Sequence, residues 1–255
     1  MKSTLSIGAL LCASLFAASA NAGFLFRKHD RIALSDADMT ALHGKRIAIA
    51  VHDRPYFQSG TDAMSLPGKR SVAIKGYDQI VDPALLVSQQ LGDAMRDAHD
   101  MQFQALDATP TEDDADLATL IAAHPGADYI LDVETLRWSA TPFDSPYKNL
   151  FLDYHARVRL IDAASTRVVV DDECLLSTED HQHRPLRKMY EYNNAQLAKD
   201  VFASFSWSCA QVLAVNGLRL PADRLPAKPD AMVDPVGAFM TPRPAAAPAA
   251  PAAGK

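Results

Sequence analysis

The chain has 255 residues, with 25 Lys and Arg against 31 Asp and Glu and a formal net charge of −6. No cluster of Lys and Arg stands out, which argues against nucleic acid or anionic lipid as the main partner. Past the first 22 residues nothing is apolar for the ~20 residues a bilayer demands, so no transmembrane segment is expected.

Residues 1–22 read as a cleavable secretory signal. Met1-Lys2 supplies a positive start, Leu5 to Phe16 an apolar run, and Ala20-Asn21-Ala22 a small-residue cleavage site before Gly23. Cys12 lies inside the apolar run, behind Leu10-Leu11, where a lipidation cysteine does not sit, so the product is expected to be periplasmic and not a lipoprotein. Removal of the leader leaves 24 basic against 31 acidic residues, a net charge of −7. It also leaves two cysteines, Cys174 and Cys209, and an even count in an oxidising compartment predicts a disulfide between them.

Residues 23–44 are a polar lead-in, with Ser35-Asp36-Ala37-Asp38 able to start a short helix. Lys45 to Val51 is a compact apolar run, a buried strand. Pro55, Gly60, Pro67 and Gly68 mark a loop over 52–69, and Ser71-Val72-Ala73-Ile74 suggests a short strand. Asp82-Pro83 opens a helix whose inward face is expected to carry Leu85, Leu86, Leu91, Met95 and Ala98. Met101 to Leu106 alternates as a strand does.

Thr109-Pro110-Thr111-Glu112-Asp113-Asp114 reads as another helix start, with Leu117, Leu120 and Ile121 inward and His124-Pro125-Gly126 as the stop. Ala127 to Trp138 is a long strand. Over 150–161 the alternation is clearest. Leu150, Leu152, Tyr154, Ala156, Val158 and Leu160 take one face, and Phe151, Asp153, His155, Arg157 and Arg159 the other. Asp162 to Ser165 turns the chain into a paired strand that runs from Thr166 to about Leu176. After a polar loop over 178–187, a long helix is predicted from about Leu186 to Asn216, with Tyr190, Leu197, Val201, Phe205, Ser208 and Val212 on its apolar stripe. The Pro/Ala-rich end, residues 221–255, cannot build a core and is expected to be a disordered tail.

This order predicts an α/β (α+β) fold: a mixed sheet with a three-strand antiparallel meander, covered by helices and closed by a long C-terminal helix, all within residues 45–220. Three groups of side chains invite a chemical reading. His181 and His183, after Glu179-Asp180, are a candidate metal pair, although an i, i+2 spacing in a loop lacks the convergence of H-E-x-x-H on a helix, and a solvated loop is the simpler reading. Asp153, His155, Arg157 and Arg159 share a strand face that could hold an anion or supply a base; cross-strand salt links explain it more simply. Asp171-Asp172-Glu173 cannot converge on one point, because neighbouring strand residues face opposite ways. No nucleophile elbow, phosphate loop or dinucleotide fingerprint occurs, and no cofactor is indicated.

Residues 127–209 resemble a family of exported proteobacterial proteins of unknown function. The resemblance rests on Asp128-Tyr129-Ile130-Leu131-Asp132-Val133 with Trp138, on Tyr154-His155-Ala156-Arg157-Val158-Arg159-Leu160-Ile161-Asp162, and on Cys174 and Cys209. It brings no known activity. The element order also resembles periplasmic assembly domains: the N-terminal domain of TolB, the curli-secretion lipoprotein and the lipoprotein activators of penicillin-binding proteins. That resemblance implies a non-enzymatic interaction or envelope-assembly role with cell-envelope proteins as partners. A small-ligand or metal-binding protein and a hydrolase with an unrecognised site stay open beside it.

Overall fold

The computed structural model describes residues 31–53, 55, 57–59, 76–104, 115–142, 150–178, 187–221 and 227. Their elements follow as α1 (Asp36–Leu42), β1 (Arg46–Ala50), β2 (Gln58–Ser59), a 3₁₀ turn (Tyr77–Gln79), α2 (Pro83–His99), β3 (Gln102–Phe103), α3 (Leu117–Ala123), β4 (Tyr129–Pro142), β5 (Leu150–Asp162), β6 (Arg167–Ser177) and α4 (Arg187–Asn216). The sheet order is β3-β1-β4-β5-β6, with the short β2 also on β4. β1 runs parallel to β3 and β4, whereas β4, β5 and β6 form the antiparallel meander. The mixed sheet and its meander agree with the sequence pattern.

Period-two alternation on the long strands creates two sheet faces. One carries Leu131, Val133, Trp138, Leu152, Tyr154, Ala156, Val158 and Leu160, all buried, and packs against α2 and α4. Trp138 is its centre: Phe57 and Phe202 meet it edge-on at centroid distances of 5.2 and 5.5 Å, and its indole N–H donates to the Pro55 carbonyl at 3.0 Å. On the other face, α3 covers one end through Leu120 against Ala50, Ile130 and Ile161.

Local chemistry places the helix ends. Asp82 caps α2, accepting from Ala84 N–H at 2.9 Å, and the same oxygen takes the Thr135 hydroxyl of β4 at 2.5 Å, which ties the helix start to the sheet. The inward stripe of α2 is Ala84, Val87, Ser88, Leu91 and Met95; Leu85 is exposed, so the expected stripe was out of phase at its start. Asp116 caps α3 by accepting from Thr119 N–H at 2.8 Å. The expected helix start at 109–114 and strand at 71–74 lie outside the described residues.

The final helix departs from expectation in one respect. Tyr192 is extended, and Asn193, Asn194 and Ala195 follow with φ of 47°, 63° and 62°, so α4 is two helical pieces joined by a left-handed break. Gly76, itself left-handed, lies 3.5 Å from the Ala195 methyl by its would-be Cβ, so the break is packed. Beyond it the buried stripe runs Leu197, Val201, Phe205, Cys209 and Leu213, while Val212 is exposed. Gly217 ends the helix, donating to Leu213 C=O at 2.9 Å. A Cβ there would lie 3.1 Å from that carbonyl and 3.3 Å from the Asp172 Cβ.

Residues 31–38, within the polar lead-in, join the domain as a strap. Ile32 exchanges both backbone hydrogen bonds with Asp171 on β6, at 2.8 and 2.9 Å. Leu34 is buried and donates to Gly217 C=O, and ion pairs Asp36–Arg219 and Asp38–Arg167 fasten the start of α1.

Candidate functional site

The second face of the meander, away from α2 and α4, is where the sequence placed Asp153, His155, Arg157 and Arg159. Strand register decides what they meet. Arg159 lies between Asp132 of β4 and Asp171 of β6, Arg157 between Glu134 and Glu173, and His155 between Arg137 and Leu175. At Arg157 and Arg159 the central strand thus carries a cation with a carboxylate directly opposite on both neighbours, and His155 has Glu173 on the diagonal, an arrangement that favours cross-strand pairing.

The pairs are made. Arg157 grips Asp171 with two parallel bonds, Nε at 2.7 Å and Nη2 at 2.5 Å from the carboxylate oxygens. Arg159 Nε donates to Asp132 Oδ2 at 2.6 Å, and His155 Nε2 lies 2.9 Å from Glu173 Oε2. Ser139 Oγ donates to Asp153 Oδ2 at 3.2 Å. The hydrogen bond and charge of Asp171 hold Arg157 more firmly protonated than a free guanidinium, against the opposing effect of burial.

Asp132 is the deepest member, its side chain 1% exposed. Its other oxygen bonds His52 Nε2, from the residue two past the end of β1, whose side chain is 4% exposed. Burial opposes the carboxylate charge, but the His52 bond and the Arg159 guanidinium outweigh it and hold the carboxyl below its ordinary range. His52, Asp132 and Arg159 form a charge-compensated row across β4, β5 and the segment that follows β1.

Four of these participants, His52, Asp132, Asp171 and Glu173, were not singled out as members of this face by the sequence reading. The signal existed. Asp132 interrupts the apolar run Ile130-Leu131-Asp132-Val133, and a carboxylate in a buried strand requires a cation. The alternation in Asp171-Asp172-Glu173 does divide as expected: Asp171 and Glu173 join the ladder, while Asp172 faces the other way and meets Arg31 at 2.9 Å.

Cys174 and Cys209 are joined as a disulfide with Cα atoms 5.6 Å apart, linking β6 to α4. His181 and His183 lie outside the described residues. Among the described residues, no group of three or more His, Cys, Asp or Glu is arranged to hold a metal ion, and no helix is long and apolar enough to cross a membrane.

No family model matches this chain. No curated protein matches it either. Among solved structures it is similar to the hypothetical protein CT253 from Chlamydia trachomatis, at 10% identity over 68% of this chain and 94% of that one, with a TM-score of 0.33. It is similar also to the lipoprotein GNA1162 from Neisseria meningitidis, at 12% identity over 52% of this chain and 82% of that one, TM-score 0.30. The C-terminal domain of LpoB from Salmonella enterica gives 11% identity over 52% and 83%, TM-score 0.26. The resemblance of residues 127–209 to an exported family therefore stands on its quoted residues alone.

Proposed function

We propose that this is an exported periplasmic protein, not lipid-anchored, whose α/β domain is a non-enzymatic interaction module of the cell envelope. The observation that carries the reading is the state of the polar sheet face. Arg157, Arg159 and His155 each have a carboxylate within hydrogen-bond distance, so this charge serves to hold three strands in register. An anion-binding or base-catalysis reading of the same face requires those carboxylates to be displaced first. The disulfide supports the compartment, since such bonds persist where the redox poise is oxidising.

Two measurements test the proposal. Mass spectrometry of the protein released from the periplasm should find Gly23 as its first residue; an intact Met1, or retention with the membrane as a lipidated form, contradicts export as a free protein. Photocrosslinking from the exposed Leu136 and Val212 in intact cells should yield discrete adducts with envelope proteins. A chain that gives no adducts and instead copurifies with a stoichiometric small molecule belongs to the ligand-binding class.

A further inference from the structure

Asp172 points away from the charged ladder and is shut in: its side chain is 3% exposed, whereas that of Arg31, its ion-pair partner at 2.9 Å, is 62% exposed. The same carboxylate oxygen accepts from Glu173 N–H at 2.9 Å, and among the described residues no other cation pairs with Asp172. Arg31 belongs to the strap, and residues 31–34 of the strap lie outside α1. That helix is closed at its own start by Ser35, whose hydroxyl accepts from Asp38 N–H at 3.1 Å. Four backbone contacts hold the segment: the two bonds between Ile32 and Asp171, Leu34 N–H to Gly217 C=O at 2.9 Å, and Arg219 Nη1 to Leu34 C=O at 3.0 Å. The Leu34 side chain is buried.

We propose that residues 31–34 are a clasp that opens and closes as a unit while the sheet stays folded, and that Arg31 keeps it shut by compensating the charge of Asp172. The boundary of the moving unit is Ser35. Beyond it α1 keeps its own anchors, the Asp36–Arg219 and Asp38–Arg167 ion pairs and the buried Leu42. The clasp meets the sheet through one isolated bridge, whereas β5 is paired along its length on both sides. Segments with few backbone bonds open locally at lower free energy than a central strand does. The latch draws its strength from Asp172. An ion pair between two exposed side chains holds little, but a carboxylate out of water needs its counter-charge. In the closed state Arg31 supplies that charge. Without Arg31, closing leaves a bare buried carboxylate, and the open state is favoured because water then reaches it. Opening has a consequence at the other end of the domain. Leu34 releases the Gly217 carbonyl and Arg219 together, so the end of α4 loosens in the same step.

The proposal is independent of the envelope role. It is tested on the full chain, disulfide intact, by amide hydrogen exchange measured residue by residue and corrected for each amide's intrinsic rate. In the unmodified protein the Ile32 and Leu34 amides, and the Asp171 amide that donates to Ile32 C=O, should share one opening equilibrium and exchange at least about tenfold faster than Val158 in the central strand. Arg31→Gln should speed all three by about tenfold or more and leave Val158 within about twofold. Adding Asp172→Asn to that variant should return the three rates to within about threefold of the unmodified protein, because an amide there needs no counter-charge. Three amides that exchange no faster than Val158 would mean that the clasp opens only with the whole domain, and the proposal fails without recourse to any variant. An Arg31→Gln protein with unchanged rates, or a double variant as fast as the single one, overturns the role given to the charge of Asp172.

Discussion

Asp132 shows how one side chain couples β4 to β5 and to the segment after β1. Its carboxylate is buried and shared by Arg159 and His52. Truncating it to Ala leaves the nearly buried Arg159 guanidinium without its hydrogen-bonded carboxylate, a class of change that costs about 3–5 kcal/mol, whereas Asn keeps the shape but not the charge. The folded pKa of Asp132 is lowered, so the unfolded chain binds the proton more readily. The stabilisation is therefore complete above the unfolded carboxyl value of ~3.9 and is lost as pH falls through the lower folded value. Urea unfolding midpoints should fall between pH 5 and pH 2.5, and Asp132→Asn should be less stable at pH 7 yet flatter across that window. A variant that keeps the full acid slope would show that other carboxylates carry it.

At the scale of elements, the bridge and the break in α4 make opposite demands. The disulfide closes a loop with a sequence separation of 35 and so removes chain entropy from the unfolded state, worth at most about 4 kcal/mol. Thiol titration of the unreduced, denatured protein should find no free thiol, and Cys174→Ala with Cys209→Ala should lower the melting temperature by several degrees. The break costs free energy, because a side chain with a Cβ is disfavoured in the left-handed region by roughly 1–2 kcal/mol. Asn tolerates that region and a β-branched residue does not. Asn194→Val, at an exposed position, should therefore destabilise by roughly that amount; a continuous helix would accept Val there at a cost of a few tenths. These cases also show what was legible beforehand. Strand faces were readable because a period of two leaves no choice of phase once Leu150 to Leu160 alternate. The break was not, because the apolar recurrence from Tyr190 to Phe205 continues across it and only the Asn193-Asn194 pair hints at left-handed backbone. The phase of α2 was misjudged at Leu85 because Ala84 and Leu85 are both apolar, and only the packing partner chooses between them. The ladder on the second sheet face was half legible: β5 displayed its cations, but their partners depended on a register that no single strand contains.

The first and last described segments of the domain meet, and this bears on how much of the chain the fold needs. Leu218 and Leu220 are buried, Leu220 N–H donates to Ala214 C=O, and Arg219 reaches the Leu34 carbonyl and Asp36. The strap at residues 31–38 is thus held by the residues that follow α4, and Leu220 is the last buried residue among the described ones. The sequence beyond is rich in Pro, which lacks a backbone donor, and in Ala, which has little apolar area to bury. Deleting residues 222–255 should shift the melting temperature by no more than about 1 °C, since the contacts that close the domain are left intact. Deleting from Gly217 onward should behave differently: it removes two buried leucines, each worth roughly 2–5 kcal/mol even when only truncated to Ala, together with the anchor of the strap. Paired melting curves of the two deletions decide the matter. A large loss in the shorter deletion would show that the tail packs against the domain, and a small loss in the longer one would show that the strap holds without Arg219.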